Sequence, residues 1–124
     1  MSRPLLPIYL SKDKETKSPF YALVDSGAEG IILQNEIAEY IGVGDITAGK
    51  LSPTQGIGGH IEKVFYHNGI KLRVLGENRI LEVPEIGFFE GPSPISILGR
   101  VFFSFYKTVS FEEEKEMFLL ETPS

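Results

Sequence analysis

The sequence predicts an all-β domain with one or two short helices. Three observations carry that prediction. The apolar residues fall in short, strand-length runs, at 5–10, 20–24, 31–33 and 95–98. Glycine and proline, 13 and 8 of the 124 residues, break the chain between such runs. Asn68-Gly69 is a strong hairpin signal between two further runs.

Taken in order, residues 5–10 read as the first strand. Pro7 cannot donate to a ladder and so puts part of that strand on an edge. Residues 11–18 are a charged turn. Residues 20–24 form the strand that delivers Asp25. Ser26, Gly27 and Ala28 turn the backbone, and residues 31–33 leave as a second apolar run. Asn35 is expected to cap a short helix over 36–41, with Ile37, Ala38, Tyr40 and Ile41 on its apolar face and Gly42 at its end. Residues 44–53 are polar and irregular before a strand begins. Gly56, Gly58 and Gly59 then make a tight hairpin tip that carries Ile57. Alternation from Ile61 to Tyr66 marks the returning strand, and His67-Asn68-Gly69 is a turn.

Residues 70–75 and 79–86 read as strands turned by Gly76-Glu77-Asn78. Residues 88–94 read as a loop rich in Gly and Pro. Residues 95–99 form a buried strand stopped by Gly99. A short helix follows over 100–106, with Phe102 and Phe105 inward. Residues 107–111 and 117–120 flank the charged run 112–116, a solvated turn. The last strand is apolar on both faces, so it needs cover, which a second subunit would give.

The length fits one domain, 1–124. A net charge of −5 and the absence of any basic run argue against nucleic acid as a partner. The chain has no Cys, so disulfides and thiolate zinc sites are ruled out. No apolar stretch reaches the roughly 20 residues that span a membrane. The first residues run straight into a strand without a signal-peptide core, so the expected location is cytoplasmic and the expected protein a small free-standing one.

Asp25 is the residue that demands explanation. Buried strands on both sides place its carboxylate at the mouth of an interior loop, and a carboxylate there is costly unless hydrogen bonds or a partner charge stabilise it. A plain Asp-Ser-Gly hairpin turn is the simpler alternative. The glycines at 56–59 lack the following helix N-terminus that a phosphate cradle needs. His60 and His67 read as turn residues, and no carboxylates cluster near them at ligand spacing, so no metal is expected. Phe88, Phe89, Phe102, Phe103, Phe105 and Phe111 read as core or dimer surface.

Three segments, in this order and spacing, resemble the retropepsin-like aspartic proteases: Asp25-Ser26-Gly27-Ala28, Gly56-Ile57-Gly58-Gly59 and Ile97-Leu98-Gly99-Arg100. The resemblance spans residues 5–120. It implies a closed-barrel-like acid-protease fold, with Asp25 in the catalytic loop supported by Ser26, Gly27 and Ala28. It makes residues 56–59 a flap, with Gly27, Glu29, Gly56, Ile57 and Gly58 on the substrate and Glu29 in reach of an ion pair with Arg100. Ser26 would bond across a two-fold axis. His60, and a segment 42–55 longer than in compact viral members, depart from the family pattern.

The implied activity is peptide-bond hydrolysis by a water held between two carboxylates. The other aspartates, Asp13 and Asp45, lack a following Ser-Gly or Thr-Gly, so the second Asp25 must come from a second copy, in a homodimer. The implied substrate is an extended peptide or unfolded protein, and no cofactor is needed. A cellular, prokaryotic member is expected, with a virion or retroelement particle as the location if the origin is viral. The competing expectation is a non-catalytic module that dimerises or binds peptides.

Overall fold

The structure, a computed structural model, describes residues 4–55, 61–106, 108–112 and 117–121. Strands β1 (Leu5–Ser11), β2 (Phe20–Val24) and β3 (Ile31–Leu33) precede helix α1 (Glu36–Tyr40) and a 3-10 turn (Ile46–Ala48). Then come β4 (Lys50–Gln55), β5 (Ile61–His67), β6 (Lys71–Val74), β7 (Leu81–Glu82), β8 (Ile86–Phe89) and β9 (Ser96–Leu98). Helix α2 (Arg100–Phe103) leads to β10 (Thr108–Glu112) and β11 (Met117–Glu121).

The protein is mainly β, as expected. Nine strands form one sheet in the order β4-β5-β8-β3-β9-β2-β1-β6-β7, and β10 pairs with β11 in a separate antiparallel hairpin. The large sheet is open, with β4 and β7 at its edges. The expected closed barrel is therefore not what these ladders form. No helix among the described residues is long and apolar enough to cross a membrane.

Alternation within the strands builds the core. Ile8 and Leu10 of β1 and Ala22 and Val24 of β2 point inward. They meet Leu33, Ile37, Ile41, Leu72, Phe88 and Phe102 in the main cluster. The first half of β1 pairs with β2 (Leu5 to Ile8) and the second half with β6 (Ile8 to Ser11), so Pro7 sits where its missing N–H interrupts no β6 bond. A second, smaller cluster of Ile32, Val64, Phe89 and Ile97, with Ala28 and Tyr66 against it, forms separately.

Several local expectations change. Asn35 does not cap α1 with its side chain: its own backbone is helical (φ −60°, ψ −32°), and its amide donates instead to the Glu90 carbonyl at 3.2 Å. Helix α1 ends one residue early, and Gly42 supplies the left-handed turn (φ +87°). Residues 86–89 are a strand with all four residues buried, where a loop was expected from 88 onward. That strand lies between β3 and β5, so an unbroken apolar run fits it. The expected strand 79–86 shrinks to Leu81–Glu82. Helix α2 stops at Phe103; Phe102 is fully buried but Phe105 only partly.

His67 is not a turn residue. It ends β5, its Nε2 lies 2.7 Å from the Ile46 carbonyl, and its ring meets Phe88 edge-on at 5.5 Å. Of the expected charged turn at 112–116, Glu112 belongs to β10 and the rest lies outside the described residues, as does the expected hairpin tip at 56–59.

Candidate active site

The loop that carries Asp25 wraps the end of β9. Strand β9 lies between β2 and β3, parallel to the first (Leu23 opposite Ile97) and antiparallel to the second (Ile32 opposite Ile97). The chain therefore runs up one side of β9, turns through residues 25–30, and returns down the other. Backbone bonds lace that turn to the start of α2. Asp25 N–H donates to the Leu98 carbonyl at 3.0 Å, Gly99 N–H to Gly30 at 3.0 Å, Arg100 N–H to Ala28 at 2.9 Å and Val101 N–H to Glu29 at 2.9 Å. Within the turn, Ala28 N–H donates to the Asp25 carbonyl at 3.2 Å.

Gly99 is required by this packing. A Cβ there would stand 2.5 Å from the Gly30 oxygen and 2.6 Å from the Ala28 oxygen. Both are backbone atoms that the same bonds hold in place, so no side chain fits.

Asp25 itself is half-buried at the rim, with Ser26 and Gly27 exposed beside it. Its Oδ1 accepts the Gly27 N–H at 2.9 Å. In the single chain this carboxylate is less enclosed than the flanking strands predict. The expected Glu29–Arg100 ion pair does not form. Among the described residues the salt bridge is Lys71–Glu82 at 3.9 Å, while residues 28–29 and 100–101 are joined through their backbones. Arg100 and Glu29 both remain exposed.

A row of side chains crosses the sheet beside this loop. Pairing places Leu5 opposite Leu23, Leu23 opposite Ile97, Ile97 opposite Ile32, Ile32 opposite Gly87, and Gly87 opposite Tyr66. Opposed residues share a face. Asp25 follows Leu23 by two along the chain, and Ala28 of the same loop packs on the cluster that holds Ile32 and Ile97, so this end of the row is an apolar floor beneath the loop. Leu5, which is exposed, stands at one end; past Tyr66 the row continues to Lys50 on the edge strand β4.

The sequence reading missed Leu23, Ile32 and Tyr66 as site neighbours. The period of two would have found Leu23 from Asp25; the others depend on pairing between distant segments. The hairpin β4–β5 extends to Gln55 opposite Ile61. The expected flap residues Gly56, Ile57, Gly58 and Gly59, and His60 that follows them, lie outside the described residues.

Tyr66 is half-buried, and burial raises its phenol above the ordinary range, with the carboxylates of Glu85 and Glu29 adding to the effect. A hollow of about 550 Å³ lies elsewhere, lined by residues of α1 and 42–46, and does not include Asp25. No group of His, Asp or Glu among the described residues is arranged to hold a metal ion. No protein-family model matches this sequence, and no curated protein matches it.

Proposed function

We propose that this chain is one subunit of a homodimeric aspartic endopeptidase of retropepsin-like fold, acting in the cytoplasm on extended peptides or unfolded proteins. The observation that carries the reading is the Asp25 loop. It is fastened by four backbone bonds to the β9–α2 segment, yet it presents a half-exposed carboxylate with exposed Ser26 and Gly27 beside it. A loop fixed so firmly and left open at its tip fits a site completed by a second copy.

In the dimer, the two Asp25 carboxylates share one proton, because like charges that close cannot both ionise. The ionised one takes a proton from the attacking water. The protonated one donates to the scissile carbonyl, and the pair titrates as a unit. The Gly27 N–H holds Asp25 Oδ1 in place at 2.9 Å, so little reorganisation is needed. Ser26 bonds between the two loops, Ala28 supports the loop from beneath, and Gly27 and Glu29 face the substrate backbone. The substrate lies as a strand between the apolar floor and the β4–β5 hairpin. The resemblance assigns Gly56, Ile57 and Gly58, which lie outside the described residues, to a flap over the substrate.

The test is cleavage of an unfolded protein mixture from about pH 3 to 7, where a carboxylate dyad titrates. Cleavage by the wild type that Asp25→Asn abolishes supports the reading. A dimer that cleaves nothing at any pH overturns it and leaves a peptide-binding module.

A further inference from the structure

Tyr66 occupies a place that two glycines leave open. A Cβ on Gly30 would lie 3.2 Å from the Tyr66 hydroxyl, and a Cβ on Gly87 would lie 3.1 Å from its Cε1 and 3.2 Å from its Cζ. The ring thus slides over Gly87 on β8 and ends against Gly30, the last residue of the Asp25 loop. It packs on the cluster of Ile32, Val64, Phe89 and Ile97 that floors the candidate site. The phenol oxygen makes no hydrogen bond among the described residues, and the side chain is only half-buried. A half-buried hydroxyl on an apolar platform, beside the cleft that the protease reading assigns to the substrate, is placed to act as a recognition group.

We propose that the Tyr66 hydroxyl is a specificity-determining group that selects a carboxamide side chain, Gln or Asn, on the substrate. The proposal rests on the protease reading. The surroundings choose the class of side chain. Glu29 and Glu85 are close enough to the phenol to raise its pKa, and Lys50 lies opposite Tyr66 on β4; the two carboxylates are acceptors only. They repel an acidic side chain. A carboxamide satisfies both kinds of neighbour: its oxygen accepts the phenol O–H and its NH2 donates to a carboxylate. The phenol is protonated across the neutral range, as an ordinary tyrosine is, and burial and then the two carboxylates shift its pKa further up, so it remains a donor.

The test uses a peptide with a mapped cut site, each position near the cut replaced in turn by Gln, Met or Glu, which are close in size. At one position Gln should be cleaved about five- to tenfold more efficiently than Met, the worth of one hydrogen bond, with Glu the poorest. Tyr66→Phe keeps the ring packing and should bring the Gln/Met ratio to about one. No Gln preference at any position, or a preference that survives Tyr66→Phe, overturns the proposal. Peptide binding in the Asp25→Asn background separates this from failure of the protease reading. There the same Gln-over-Met preference should appear in Kd and vanish with Tyr66→Phe, and its absence counts against the Tyr66 assignment.

Discussion

The amide of Gly99 donates to the carbonyl of Gly30 at 3.0 Å, and a Cβ on Gly99 would stand 2.5 Å from that same oxygen. The bond that fixes the end of the Asp25 loop is thus the reason residue 99 has no side chain.

Gly99→Ala must push the loop off β9. The expected loss is about 1–3 kcal/mol, the range for forcing a methyl into a closed site. Urea unfolding measures it, and peptide cleavage should fall by more than the lost folded fraction, because Asp25 moves with the loop. A variant as stable as the wild type would contradict the packing described.

Gly87→Ala should disturb Tyr66 and Val64 together. The added methyl overlaps Val64 Cγ1 and lies 3.1 Å from Tyr66 Cε1. The single change should cost about 1–3 kcal/mol. With Val64→Ala in the same chain, the combined loss should be smaller than the sum, since the Cγ1 that the methyl overlaps is gone. Additive losses in denaturant unfolding would mean that the two residues do not contact each other.

Phe102 holds α2, and with it the Arg100 and Val101 amides, against the main core. It is fully buried and lies 5.1 Å from the Tyr106 ring centroid. Phe102→Ala should cost about 3–5 kcal/mol, read from the shift in the urea midpoint. A loss under about 1 kcal/mol would place the residue outside the core.

Asp45 gives a pH dependence. The Thr47 hydroxyl (2.6 Å) and backbone N–H (2.9 Å) both donate to its Oδ1, and they hold its carboxyl below the ordinary value of 3.8, with His67 adding slightly. A carboxylate lowered on folding contributes stability above its unfolded pKa, and that contribution fades as pH falls through the folded value. Thr47→Val removes the strongest donor. NMR titration should then show the Asp45 pKa moving up towards 3.8. An unchanged pKa would rule out the hydroxyl as the main cause.

Much of the site was legible from local sequence. Residues 20–24 and 31–33 are apolar runs with Asp25-Ser26-Gly27 between them, and a strand-turn-strand follows from that pattern alone. Gly99 was placed at the end of its strand for the same reason. Strand β8 was misjudged because Gly91, Pro92 and Pro94 punctuate the segment just after it, and a short apolar run beside such residues looks like a loop. The Glu29–Arg100 pair was implied by the resemblance alone, but backbone bonds already join those segments, and exposed charges gain little by pairing. The floor from Leu23 to Tyr66 depends on pairings such as Ile32 with Gly87, across distant parts of the chain, which no local pattern encodes. His67 lacked a signal because its partner, the Ile46 carbonyl, is a backbone atom.

The central claim is that two copies of Asp25, one from each chain, perform the hydrolysis. Mixing wild type with Asp25→Asn at constant total protein, after exchange of subunits, tests it directly. If each active site needs two aspartates, activity follows the square of the wild-type fraction, so an equal mixture retains roughly a quarter of it. A linear fall, with roughly half the activity left at equal mixing, would mean that each chain works alone and would contradict the account.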